Sequence, residues 1–321
     1  MIYSDFRNII RDRTEISVRY DVETASVWCY LKPKVRPCFS YKMLCEIHAL
    51  QQELISYFQK YDMNPPVPVK FFVWASQANG IFNYGGDLNM FADVIERQDK
   101  ETLTDYGTLA TEIVYLNSIN LNLPLTTLSV VEGNALGGGF EAAFSCNIMI
   151  VEEQAKIGLP EIRFNLFPGM GAYSLLVRSL GVKKAEEIIT SGKVYTAKEF
   201  YDMGLLTLLV PEGKGISEAL KYMQRYSEHD NGMQAVAHAR EIYLHLKREE
   251  FMDINKLWVE AAMRLKKKDL KVMRKLVTAQ NMKQDNIFKL KRTRQDRRLK
   301  LQGEQYKSHI DRRHIMDRRA S

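Results

Sequence analysis

At 321 residues and 37.2 kDa, with 45% apolar and 26% charged side chains, the chain has a globular composition, which excludes disordered, collagenous and disulfide-scaffold classes. No run approaches the roughly 18 apolar residues of a membrane helix, and Met1 to Arg7 lacks the apolar stretch of a secretory signal. The net charge of +7 resides in residues 289–321, which hold 12 Lys or Arg against 4 Asp or Glu, leaving 34 basic and 35 acidic groups in the rest.

Residues 1–67 read as a preface packed on the core. Alternation from Glu15 to Leu31, rich in Val, Tyr, Trp and Ile, predicts paired strands; apolar residues at helical spacing from Tyr41 to Tyr61 predict a helix that Asn64-Pro-Pro-Val-Pro ends. A core over 68–212 follows. It opens on a buried strand at Val69 to Ala75 and a glycine loop at Tyr84-Gly-Gly-Asp-Leu. A helix over Glu101 to Ile119 leads to a strand at Leu125 to Val131. A triple glycine, a helix from Gly138 to Ser145 and a strand at Ile148 to Val151 complete the pattern. Strand–loop–helix alternation of this kind argues α/β architecture with parallel strands. Helical periods dominate after residue 170 (Ala172 to Leu180, Lys183 to Thr190, Ala197 to Met203), broken by a strand at Leu206 to Val210. A helical part over 213–288 and a basic tail over 289–321 close the chain. No internal repeat is visible.

Cys29, Cys38, Cys45 and Cys146 form no CxxC pair, so a reduced, cytoplasmic setting is expected. The basic tail could dock an acidic partner, but a solvated extension is the simpler reading. The body has neither zinc-finger spacing nor an aromatic RNA-binding signature, so nucleic acid is not the expected partner.

Two glycine loops carry the chemistry. Ile81-Phe-Asn-Tyr-Gly-Gly-Asp-Leu follows one strand; Asn134-Ala-Leu-Gly-Gly-Gly-Phe-Glu follows another and opens a helix. Neither matches a dinucleotide or P-loop pattern. Paired glycines instead let backbone N–H groups approach a ligand, and a helix N-terminus adds free donors. Two N–H groups aimed at one oxygen form an oxyanion hole, worth roughly 3–4 kcal/mol per donor. Glu141 lies three residues after Gly138, one helical turn from those donors. Glu161 follows Leu159-Pro160, where the proline stiffens the backbone. Two carboxyls beside one hole can divide the roles of general acid and general base. The six histidines all lie outside the glycine loops, so neither a nucleophilic triad nor a metal site is expected.

The spacing of YGGDL, NALGGGFE and LPEIRFNLFPGMGA resembles the crotonase (enoyl-CoA hydratase/isomerase) superfamily over roughly residues 68–210. More narrowly, the long preface, the first glycine loop and Trp258 resemble the diffusible signal factor synthases, crotonase-fold enzymes that make cis-2-unsaturated fatty-acid quorum-sensing signals. The resemblance implies a crotonase-like fold with a parallel-strand ββα core. It implies Gly86 and Gly138 as oxyanion-hole donors, Glu141 and Glu161 as catalytic carboxyls, and an acyl pocket with Leu136, Gly137, Met170, Trp258 and Leu276. Ile254, Leu257, Trp258, Ala261 and Leu265 share one apolar helix face, which independently places Trp258 inside.

The implied reaction is dehydration of a 3-hydroxyacyl thioester on acyl carrier protein, then hydrolysis of the enoyl thioester. By analogy Glu161 is the acid facing C3, though the reverse assignment stays open. No cofactor is implied beyond the phosphopantetheine arm of the carrier protein or of CoA. A homotrimer and a sensor-kinase receiver domain are the other implied partners. The alternative is an enoyl-CoA hydratase/isomerase acting on CoA thioesters, which needs the same four groups. A non-catalytic scaffold that binds RNA through its tail is a third reading, disfavoured by the retention of both glutamates and both loops.

Overall fold

The computed structural model describes residues 2–33 and 36–281, and the expected basic tail at 289–321 lies outside them. The chain divides into one unit at Met1–Lys275 and a second at Leu276–Ser321. In the first unit, helix α1 (Ile2–Ile9) precedes an antiparallel pair, β1 (Ile16–Asp21) and β2 (Ser26–Leu31), and then helix α2 (Tyr41–Lys60). Strands β3 (Phe71–Ser76) and β4 (Ile81–Asn83) lead into helices α3 (Leu88–Glu96) and α4 (Lys100–Ser118). Next come β5 (Thr126–Val131), β6 (Asn134–Leu136), helix α5 (Gly138–Phe144), β7 (Ile148–Glu152) and β8 (Lys156–Gly158). Helices α6 (Ala172–Leu180) and α7 (Val182–Ser191), β9 (Val194–Thr196), α8 (Ala197–Asp202) and β10 (Leu208–Val210) follow. Helices α9 (Gly215–Glu228), α10 (Asp230–Leu244) and α11 (Arg248–Met263) complete the named elements.

The main sheet runs β1-β2-β3-β5-β7-β10, and every pairing after the first is parallel. The preface strands thus extend the core sheet. Alternation divides its faces. Phe71, Val73, Leu128, Val130, Ile148 and Ile150 point to one side, where Ala219, Met223 and Tyr226 of α9 cover them. The other side carries polar residues tied into the helices: Ser129 Oγ donates to the Ala143 carbonyl of α5 at 2.8 Å. This is the α/β layout with parallel strands and a helical C-terminal part that the sequence predicts.

A second sheet, β4-β6-β8-β9, is not visible in the sequence pattern, because strands of three residues are too short to display a period. It matters more to function than its size suggests. Strands β4, β6 and β8 are neighbours and parallel, so their carboxyl ends open on one edge. The Tyr84 loop, the triple glycine and the Pro160–Glu161 segment leave from those three ends.

Helix α11 corrects one expectation. Its buried residues are Phe251, Asn255, Trp258, Val259 and Ala262. Leu257, expected on the apolar face, is 59% exposed, and Ile254, Ala261 and Leu265 are only half-buried. The inner face is instead centred on Phe251, Trp258, Val259 and Ala262, with Asn255 among them.

Helices α6 and α11 are tied together by Arg178, whose Nη1 and Nη2 donate to the two Glu250 oxygens at 2.7 Å each, while its Nε donates to the Leu244 carbonyl at 2.7 Å. A bidentate guanidinium–carboxylate pair is among the stronger side-chain ties. Arg178→Met is expected to lower unfolding free energy by about 1.5–3 kcal/mol in urea titration. An unchanged midpoint would show that the tie contributes nothing.

Candidate active site

The two glycine loops meet face to face. A Cβ on Gly85 would stand 2.7 Å from the Gly138 nitrogen, and one on Gly138 would stand 3.6 Å from the Gly86 nitrogen. Neither donor glycine has room for a side chain. The Phe91 ring lies 2.5 Å from a Gly86 Cβ, and Met170 Sδ lies 2.5 Å from a Gly138 Cβ. Local bonds fix the geometry: Asn83 Oδ1 accepts the Gly85 N–H at 2.7 Å, and the Gly158 carbonyl accepts the Gly137 N–H at 2.8 Å. Asp87, the acid of the first loop, caps α3 by accepting from the Asn89 and Met90 N–H groups. Among the described residues, neither the Gly86 nor the Gly138 N–H donates to a protein acceptor. Two free donors on adjoining loops, one at a helix N-terminus, suit an oxygen that gains negative charge.

Both glutamates reach this place. Glu141, on the first turn of α5, is 1% exposed; its Oε1 accepts the Met170 N–H at 2.8 Å and the Ala172 N–H at 3.0 Å. Glu161 opens a single 3-10 turn, Glu161–Phe164, and is 9% exposed. Its Oε1 lies 2.6 Å from where a Gly137 Cβ would stand, so the carboxyl occupies the space that glycine leaves. Gly137 also has φ +55, a conformation side chains resist. The other oxygen of Glu161, Oε2, is buried without a hydrogen-bond partner.

Burial and proximity set the protonation of the pair. Burial pushes Glu141 up to about 7, while the N–H groups of Ala172, Met170 and Gly171 pull it back down. Glu161 is driven well above the usual carboxylate range, by burial first and then by the charge of Glu141. The two protons belong to the pair rather than to either residue. Near neutral pH the first ionisation falls on Glu141, which has the N–H donors, and leaves the remaining proton on Glu161.

Of the expected pocket residues, Leu136 is half-buried at the loop and its carbonyl lies 3.0 Å from a Gly85 Cβ, while Met170 is buried against Gly138. Trp258 stands one step behind. Its indole abuts Gly169 at 2.4 Å from a would-be Cβ and meets Phe91 edge-on at a centroid distance of 5.3 Å. Leu276 belongs to the second unit. Sequence reading missed the supporting cast. Phe91 lines Gly86, the Phe251 ring lies 2.7 Å from a Gly171 Cβ, and Thr111 and Asn255 hold the Gly169 carbonyl. The unexplained glycines of Phe167-Pro-Gly-Met-Gly were the available signal. Among the described residues, no three His, Cys, Asp or Glu side chains gather as a metal site would require, and no helix is long and apolar enough to cross a membrane.

Residues 47–263 match the family model described as enoyl-CoA hydratase/isomerase. A probable enoyl-CoA hydratase of Bacillus subtilis is 32% identical over 140 residues, which cover 44% of this chain and 52% of that protein. The human mitochondrial methylglutaconyl-CoA hydratase is 31% identical over 146 residues, 46% of this chain and 41% of that protein. The chain therefore spans about half the length of these relatives. An enoyl-CoA hydratase structure from Bacillus halodurans shares the fold, with a TM-score of 0.67 over 81% of this chain and 98% of that one at 17% identity.

The pH dependence of stability follows from the raised carboxyls. A carboxyl whose folded value exceeds its unfolded one stabilises the fold while protonated. For Glu141 that stability is present below 4.5 and is lost as pH rises through about 7; Glu161 extends the loss to higher pH. The melting temperature should fall between pH 5 and pH 8 in scanning calorimetry. Glu161→Gln should melt higher than the parent at pH 8 and close to it at pH 5. A variant less stable than the parent at pH 8 would contradict this protonation.

Proposed function

We propose that this chain, which belongs to the enoyl-CoA hydratase/isomerase family, adds water reversibly across the 2,3 double bond of an enoyl thioester carried on CoA. The observation that carries the reading is the juxtaposition of two free N–H donors with two buried carboxyls of unequal proton affinity. Each of the four groups has a use in that reaction, and Glu161 Oε2 and the two N–H donors are left without a protein partner among the described residues.

In the hydration direction, the thioester carbonyl accepts from the Gly86 and Gly138 N–H groups. Ionised Glu141 takes a proton from water, whose oxygen bonds to C3. The π electrons move toward the carbonyl, and the resulting enolate oxygen is held by the two donors. Glu161 then gives its proton to C2 as the carbonyl reforms. Dehydration retraces these steps with the proton on the opposite carboxyl. Glu161 thus serves C2, the reverse of the assignment favoured by analogy, because the carboxyl that keeps its proton at neutral pH must be the donor during hydration.

The narrower reading, synthesis of a cis-2-unsaturated acid from a 3-hydroxyacyl thioester on acyl carrier protein, runs the same steps in reverse and adds hydrolysis. Water then attacks the thioester carbon, the C–S bond breaks, and the leaving thiolate takes a proton. What favours it is the resemblance of the preface, the first glycine loop and Trp258 to the signal synthases.

Glu141→Gln and Glu161→Gln should each lower hydration of a trans-2-enoyl-CoA by at least about 10²-fold, with circular dichroism unchanged. Retention of activity within about fivefold in either variant would remove that carboxyl from the mechanism. Mass spectrometry of the products separates the two readings. Hydratase action leaves the thioester intact, whereas accumulation of a free 2-unsaturated acid, abolished by the same substitutions, would favour the signal-synthase reading.

A further inference from the structure

The peptide between Gly169 and Met170 is gripped from both edges. Its carbonyl oxygen accepts from Thr111 Oγ1 of α4 at 3.2 Å and from Asn255 Nδ2 of α11 at 3.4 Å. Its N–H, on the opposite edge of the same plane, donates to Glu141 Oε1 at 2.8 Å. Thr111 is 0% exposed and Asn255 is 3% exposed, so both polar side chains are committed to the interior.

The fold makes concessions to this arrangement. Helix α4 has a glycine in its interior, Gly107, which typically costs about 0.5–1 kcal/mol relative to alanine. The reason is spatial: a Cβ there would stand 2.7 Å from Asn255 Nδ2 and 3.0 Å from Asn255 Oδ1. On α11 the amide takes an inward position while Leu257, two residues on in the same helix, faces solvent. Apolar packing alone would not choose an amide and a glycine here. Hydrogen bonds to a carbonyl also polarise the N–H of the same peptide, strengthening its donation by roughly 10–30% per bond.

We propose that Thr111 and Asn255 are positioning residues for Glu141, clamping the Gly169–Met170 peptide so that its N–H is aimed at the carboxylate. They touch neither substrate nor reacting atoms; they act through the peptide. Besides the N–H groups of Met170, Gly171 and Ala172, the titratable group that bears on Glu141 among the described residues is Glu161. Loosening the clamp weakens one N–H bond to the ionised carboxylate, so Glu141 holds its proton more tightly. The acidic limb of the kcat/KM profile, where Glu141 must be ionised, then moves to higher pH. The inference rests on the reading of Glu141 as the general base.

The test uses the full-length protein with ¹³C-labelled glutamate carboxyls, the Glu141 resonance being assigned by its loss in Glu141→Gln. Thr111→Val keeps the shape and removes the donor; Thr111→Ser keeps the donor. The valine variant should bind the Glu141 proton at least about twofold more tightly, a rise of about 0.3 in midpoint. The acidic limb for trans-2-butenoyl-CoA hydration should move in step, and the serine variant should restore both. Gly107→Ala, which crowds the Asn255 amide while leaving both donors in the sequence, should shift the midpoint the same way and serves if the valine variant does not fold. A folded valine or alanine variant with an unmoved Glu141 midpoint overturns the clamp. Activity in Glu141→Gln would instead overturn the base assignment, and the carboxyl titration would still decide the clamp by itself.

Discussion

Two carboxyl groups are buried together with no counter-cation among the described residues, and the architecture of the site follows from that constraint. Among the described residues, no lysine, arginine or histidine pairs with Glu141 or Glu161, so neither charge is neutralised in the usual way. A lone ionised carboxylate in such surroundings is costly, and two adjacent ones more so. The protein meets the cost unequally. Glu141 receives backbone N–H groups from the 170–172 segment, while Glu161 keeps one oxygen without a partner. That asymmetry gives two chemically identical side chains opposite roles, one apt to take a proton and one to give it. In the proposed reaction the Gly86 and Gly138 N–H groups would meet the third requirement, a fixed dipole for a developing enolate.

The scaffold delivers these groups by economical means. Three neighbouring parallel strands of three residues each end on one edge, and each sends its loop into the site. Open α/β sheets commonly bind ligands beyond the carboxyl ends of their strands, and the candidate site lies at that edge of the small sheet. The larger sheet provides the stiffness, with α9 sealing one face and α4 and α5 packed toward the other. Helices α4 and α11 then reach the site from behind, through Thr111, Asn255, Phe251 and Trp258. Each of these touches the 169–171 segment that faces Glu141.

The parts of this arrangement legible in the sequence were those carried by short-range patterns. The buried strands at Phe71 and Thr126, the helix after the triple glycine and the spacing of Glu141 from Gly138 all follow from local rules. Glu161 after Pro160 and the paired glycines at 85 and 86 were also visible in the residues, and the resemblance to crotonases supplied the roles of Gly86, Gly138 and the two glutamates. Tertiary partnerships were not legible. Nothing near Gly107 announces that its missing Cβ seats the Asn255 amide across a helix interface. On α11 the expected stripe was off-centre: Trp258 is inside as expected, but Phe251, Val259 and Ala262 complete the buried face in place of Leu257. The strands of the second sheet escaped notice because three residues cannot show alternation. The acyl-pocket expectation was partly a matter of depth: Met170 touches the donor loop, whereas Trp258 supports the segment behind it.

Once Glu141 ionises, at about pH 7, the buried pair keeps its one remaining proton on Glu161. Neutron diffraction from a deuterium-exchanged crystal at pH 8, above the Glu141 midpoint of about 7, reads this directly. A deuteron is expected on a Glu161 oxygen and none on Glu141, with the Met170 and Ala172 N–D groups directed at Glu141 Oε1. Two bare carboxylates, two protonated carboxyls, or a deuteron resting on Glu141 would contradict it.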